Sequence, residues 1–172
     1  MAAITARFST GLIRGTDVNV SETVPTHGLG QRASDHLGRE WIYARANGSI
    51  TGQGYVVALD TNNDATLLTT AIANTLTRFI GVSGTNGAPS DDDYCWVCLS
   101  KPPGDATFGV RVTAAALADA QLYTTGTAGQ LMTTTGTAPI DHVRLLTAQS
   151  TSTAGQNLTS EWHYMTRGLL GT

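Results

Sequence analysis

Tyr94-Cys95-Trp96-Val97-Cys98-Leu99-Ser100 follows Asp91-Asp92-Asp93 and runs out into Pro102-Pro103-Gly104. Acidic turn residues on one side and a Pro-Gly loop on the other bracket seven residues rich in aromatic, apolar and thiol side chains, the pattern of a strand. The same pattern recurs outward from it. Upstream, Arg78-Phe79-Ile80-Gly81-Val82-Ser83 closes at Gly84-Thr85-Asn86-Gly87, and Gly54 to Asp60 closes at Thr61-Asn62-Asn63-Asp64. Farther back, Glu40 to Ala46 stops at Asn47-Gly48, a type I′ turn signal that implies a short return strand over Ser49-Ile50-Thr51. Downstream, Phe108 to Thr113 alternates Val with polar residues, and Leu122-Tyr123-Thr124 and Gly129 to Thr133 flank Thr125-Gly126-Thr127-Ala128 as a hairpin. His142 to Ala148 is the last core strand of this reading.

Residues 65–77 read two ways. Leu67, Leu68, Ile72 and Leu76 have helical spacing behind a capping Asn63-Asp64, whereas Thr66, Thr69, Thr70, Thr75 and Thr77 favour strand-turn-strand. Turn signals recur about every 8–12 residues, the rhythm of a sandwich or small barrel. The expectation is an all-β chain: a small antiparallel β-barrel or sandwich with an extended N-terminal arm and a C-terminal tail. Trp41, Tyr43, Val56, Leu59, Phe79, Ile80, Trp96, Val110 and Leu145 are the expected core. No internal repeat of fixed long period is visible.

Composition narrows the function. At 172 residues the chain makes one domain. Only 13% of it is charged, against about 25% in an ordinary soluble domain, and Lys101 is the sole lysine. The net charge of -3 argues against nucleic-acid binding. No apolar run is long enough for a membrane span, and Met1 to Ser9 lacks the basic start of a signal peptide. Two cysteines make no disulfide framework. The 28 threonines and 19 glycines suit strands and turns.

The domain expectation has three parts: an extended arm over 1–35, a β core over 36–149, and a linker with tail over 150–172. Both ends carry large apolar residues without the period to bury them: Phe8, Leu12 and Ile13 in one, Trp162, Tyr164, Met165, Leu169 and Leu170 in the other. Such clusters mark interaction surfaces, the alternative being that both ends fold back on their own barrel as edge strands or docked segments. Aromatic and Arg side chains are the commonest binding anchors. Arg7, Phe8, Arg14, Trp162 and Tyr164 are therefore the protein-contact candidates.

The chemical motifs read as structural. Cys95 and Cys98 form a C-x-x-C, but on a strand they point to opposite faces, and a zinc site needs two more ligands. Asp91-Asp92-Asp93 lacks calcium-loop spacing and reads as a solvated turn. Ser34-Asp35-His36 sets three triad-type residues side by side, whereas a triad is assembled from distant positions. Gly28-Leu29-Gly30 follows no strand and opens no helix, so it is no dinucleotide fingerprint. The expectation is no catalytic residue, no metal and no cofactor.

Arg32-Ala33-Ser34-Asp35-His36-Leu37-Gly38-Arg39-Glu40-Trp41-Ile42-Tyr43-Ala44-Arg45-Ala46, Phe79-Ile80-Gly81-Val82, Leu122 to Leu131 and Ile140-Asp141-His142-Val143-Arg144-Leu145 together resemble small virion proteins of tailed bacteriophages, of the head decoration or capsid cement kind. The resemblance spans about residues 30–150. It implies a non-enzymatic β module on the outer capsid surface, made in the bacterial host cytoplasm. The implied partners are the major capsid protein and further copies of the chain, as a trimer or dimer, with neither nucleic acid nor membrane. The competing reading is another phage virion β module, a head- or tail-fibre component that binds a receptor or glycan.

Overall fold

The computed structural model describes residues 17–75, 79–105, 109–113, 120–133, 139–145 and 156–167, with 139–145, 156–158 and 166–167 as backbone only. Their elements are β1 (Arg32–Ser34), β2 (Glu40–Ala46), β3 (Val56–Leu59), β4 (Asp64–Leu67), α1 (Thr70–Thr75), β5 (Phe79–Ser83), β6 (Tyr94–Lys101), β7 (Gly109–Val112), β8 (Leu122–Thr124), β9 (Leu131–Met132), β10 (Pro139–Leu145) and β11 (Gln156–Arg167). The chain is all-β, as its strand pattern implied.

Strands β2-β4-β3-β5-β6 pair in that order, and β6 returns to β2, so the five close into a barrel. Strands β7-β9-β8-β10-β11 pair the same way, and β11 returns to β7. The two rings share one topology. In each, the first strand runs parallel to the third, and every other pairing is antiparallel. The second ring closes thinly, since β7 meets β9 through the single pair Val112↔Leu131. The rings join where β6 meets β11, the fifth strand of one against the fifth of the other. The sequence carries this repetition in its strand order and pairing rather than in a repeated motif.

Alternation along the strands builds two cores. Ile42, Ala44, Ala46, Val57, Leu59, Ala65, Cys95, Val97 and Leu99 form the inward cluster of the first barrel, joined by Ile50. Small side chains are needed there, because five strands enclose little space. Gly81 takes this to the limit: a β-carbon on it would stand 2.4 Å from Val97 Cγ1 and 3.0 Å from the Cys98 carbonyl oxygen. The opposite faces supply Trp41, Tyr43, Val56, Ile80, Trp96 and Cys98 to a second cluster, which continues into Val110, Val112, Leu122, Leu131 and Trp162 of the second ring. Of the expected core, Phe79 is only partly buried, and the Leu145 side chain lies outside the described residues.

Three expectations need correction. Residues 17–34, within the segment assigned to an extended arm, pack on the first barrel. Val18 is buried, Glu22 and Tyr94 exchange backbone hydrogen bonds at 2.9 and 2.7 Å, and the His27 ring packs against Tyr43 and Trp96 at 5.1 and 5.3 Å. Residues 1–16 lie outside the described residues. The tail over 150–172 contains β11, a twelve-residue strand paired with β6, β7 and β10. Its sequence hides the strand, because its first half, Gln156 to Glu161, carries a single large apolar residue, Leu158. Finally, Asn47-Gly48 opens no hairpin. Ser49 to Thr51 form no strand, and Ile50 turns into the barrel interior instead. Residues 64–75 combine the two readings as strand β4 followed by the short helix α1.

Candidate functional site

Of the five contact candidates, Arg7, Phe8 and Arg14 lie outside the described residues. Trp162 is 2% exposed and belongs to the core. Its indole Nε1 donates to the Cys98 carbonyl at 3.3 Å, so it cannot anchor a partner. Tyr164 is half-buried at one end of the first barrel. Between Val143↔Trp162 and Asp141↔Thr166 the β10–β11 register slips, and Tyr164 takes a left-handed φ of 43° there. Such a bulge re-aims a side chain. Here the Tyr164 hydroxyl donates to Glu40, and its ring lies 6.3 Å from that of Phe79.

Around Tyr164 gathers a cluster that sequence reasoning did not find. The Arg32 guanidinium sits 5.1 Å above the Phe79 ring and 5.8 Å from that of Tyr164. The exposed His163 ring stands edge-on to Tyr164 at 4.9 Å, and its Nδ1 shares a hydrogen bond of 2.9 Å with Ser100 Oγ. A cleft of about 140 Å³ lined by Arg32, Ala33, Ser34 and Glu40 adjoins it. Long chain separations hid these pairings, 47 residues between Arg32 and Phe79 and 63 between Ser100 and His163; only the β6–β11 register brings Ser100 to His163.

The side-by-side Ser34-Asp35-His36 dissolves as a site. Ser34 and His36 are exposed, while Asp35 turns inward. Its carboxylate accepts from the Leu37 and Arg39 amides, from Arg39 Nε and from Trp41 Nε1. Arg39 is fully buried and also faces Asp105 at 3.6 Å. Beside it, Lys101 donates to the backbone carbonyls of Asp105 and Ser160, and burial lowers its pKa from the usual value. Charges removed from water hold only when paired and hydrogen-bonded, so this cluster is a structural joint between the rings.

Cys95 and Cys98 are free, buried, and divided between the two cores. Burial pushes the Cys95 thiol up to about 12 and the Cys98 thiol well above its ordinary value. Thiols so protonated are inert. Among the described residues no three His, Cys, Asp or Glu side chains converge as metal ligands. No described helix is long and apolar enough to cross a membrane.

The surface offers one further feature. Among the described residues, the exposed large apolar side chains are Val20, Val24, Leu29 and Leu37, at 53%, 70%, 43% and 39% exposure. Val20, Val24 and Leu29 lie on the segment that straps across the first barrel, and Leu37 lies on the turn from β1 to β2. Fold and surface together define an all-β double-ring protein with an apolar strap and an arginine-aromatic cluster. No protein-family model, no curated protein and no solved structure matches the chain.

Proposed function

We propose that the chain is a structural virion protein that binds the outer surface of a bacteriophage capsid and stabilises it by bridging neighbouring major capsid protein subunits. The observation that carries this reading is the strap. The four exposed apolar side chains are concentrated within residues 20–37, three of them on a segment fixed to a rigid barrel by the Glu22–Tyr94 bridge and the His27 ring contacts. Exposed apolar side chains on a preordered scaffold suit protein docking, because little order remains to be imposed on binding. The sequence immediately before it carries Phe8, Leu12 and Ile13, which extend the same apolar character.

The receptor- or glycan-binding reading calls for exposed Trp and Tyr beside a shallow groove; Trp41, Trp96 and Trp162 are all buried, and the tyrosines are buried or half-buried. The reading assigns the chain no catalytic role and no cofactor.

Val24→Asp with Leu29→Asp tests the strap. Both side chains are exposed, so the double variant should keep its circular dichroism and melting temperature while losing co-sedimentation with capsid shells. Undiminished binding by the folded double variant would remove the strap from the contact.

A further inference from the structure

The two ends of β2 carry opposite chemistry. Towards the Glu40 end stands the Arg32 cluster, with Arg32 opposite Ile42 and Tyr164 bonded to Glu40. Of the four arginines whose side chains are described, Arg39 and Arg45 are ion-paired, Arg111 lies over Tyr55, and Arg32 alone is exposed. No carboxylate pairs with it among the described residues; the nearby Glu40 carboxylate accepts the Tyr164 hydroxyl. Phe79 and Tyr164 flank the guanidinium at 5.1 and 5.8 Å, and a bulge with left-handed backbone at Tyr164 maintains that arrangement. An arginine preordered on aromatic faces loses little freedom when it binds a carboxylate and keeps its forked donors available.

At the Ala46 end stands an acidic turn. The Ala46 amide donates to the Asp93 carbonyl, and the Asp92 amide donates to the Ala46 carbonyl. Asp92 takes a left-handed φ of 66°, and its side chain is 80% exposed, with Arg45 only loosely engaged at 3.8 Å. Asp91 accepts from the Gly48 amide at 2.6 Å, which fixes the turn. Arg32 stands opposite Ile42, four residues of strand or roughly 13 Å from Ala46, so the two patches do not meet within one chain.

We propose that the Arg32 face binds a second copy of this chain at its Asp91–Asp92 turn, head to tail. The charges are complementary, and both ends are rigidly presented. The contact joins unlike patches, so it builds a closed ring or an open chain of copies rather than a two-fold dimer. It requires no capsid, and it stands or falls separately from the capsid-binding reading.

Charge exchange tests it on the purified full-length protein by sedimentation velocity. The unaltered chain should self-associate at low ionic strength and dissociate as salt is raised, because exposed charge pairs are screened. Arg32→Glu alone and Asp92→Arg alone should each weaken association roughly tenfold or more, since each sets like charges face to face. Mixing the two single variants, or combining both changes in one chain, should restore it. Circular dichroism confirms that these surface variants fold. A chain that stays monomeric at low salt overturns the proposal. So does a single variant that associates unchanged, or a combined variant that fails to recover. Association that survives every exchange would place the contact elsewhere, with the apolar strap as the next surface to alter.

Discussion

Lys101 and Trp162 are register partners across the seam between the two rings, with the Lys101 ammonium 5.5 Å from the centre of the indole. The ammonium also donates to the Ser160 carbonyl, so the only lysine in the chain ties β6 to β11. This contact makes the C-terminal segment part of the fold. Deleting residues 156–172 should open the second ring and expose the core beneath Trp162, lowering the melting temperature of the whole chain. Trp162→Ala should cost about 3–5 kcal/mol in urea unfolding, the usual range for a buried aromatic. A truncated chain with an unchanged melting temperature would show that the tail is dispensable.

Asp35 is the counterpart of Lys101 within the buried joint. Its carboxylate serves four donors, and removing it takes the nearest carboxylate from the buried Arg39 guanidinium, with Asp105 farther off at 3.6 Å. Asp35→Ala should therefore destabilise by about 3–5 kcal/mol, as breaking a buried pair does. The denaturation midpoint should fall while the slope stays constant. A shift of only a few tenths of a kcal/mol would mean that water reaches the cluster.

Packing inside the first barrel gives a sharper comparison. Gly81→Ala places a methyl against Val97 Cγ1 and the Cys98 carbonyl oxygen, and one of them is backbone, so relief is limited. About 1–3 kcal/mol of destabilisation follows. Gly126→Ala meets nothing within 4 Å and should leave stability within about 0.5 kcal/mol. Equal effects at the two glycines would contradict the inward placement of β5.

Strands with an uninterrupted apolar or aromatic signal were legible in the sequence: 40–46, 56–59, 79–83, 94–101 and 109–112 stand where their patterns put them. β11 was not, because Gln156-Asn157-Leu158-Thr159-Ser160-Glu161 reads as polar linker until its partners are known. The closed pairing of the rings was equally hidden. It depends on long-range register, as in Trp41↔Cys98, which no local pattern encodes. The opposite-face placement of Cys95 and Cys98 was readable because strand alternation is local. The Arg32–Tyr164 and Ser100–His163 contacts were not, because they exist only once β1, β6 and β11 are assembled.

Alkaline pH should loosen the protein. Burial raises Cys95 from 9.0 to about 12; burial and the Glu22 hydrogen bond raise Tyr43 from 10.0 to about 12. Between those limits the folded chain holds protons that the unfolded chain releases, so stability falls as pH rises from 9 towards 12. Lys101 works the other way. Its pKa is lowered from 10.5, so the unfolded chain binds that proton more tightly and stability gains as pH rises towards 10.5. Cys98 adds to the loss. Urea midpoints between pH 7 and 11 should decline beyond pH 9, with a shallower decline in Cys95→Ala and Tyr43→Phe. A flat profile to pH 11 would contradict the burial of these groups.

Titration onto shells of the phage that carries the chain, assembled without it, tests capsid binding most directly. Bound protein should saturate at a fixed copy number set by the capsid lattice, lie on the outer surface, and raise the temperature at which the shell breaks open. Shells that bind none of it, or that bind it without saturating and gain no stability, would contradict a cementing role.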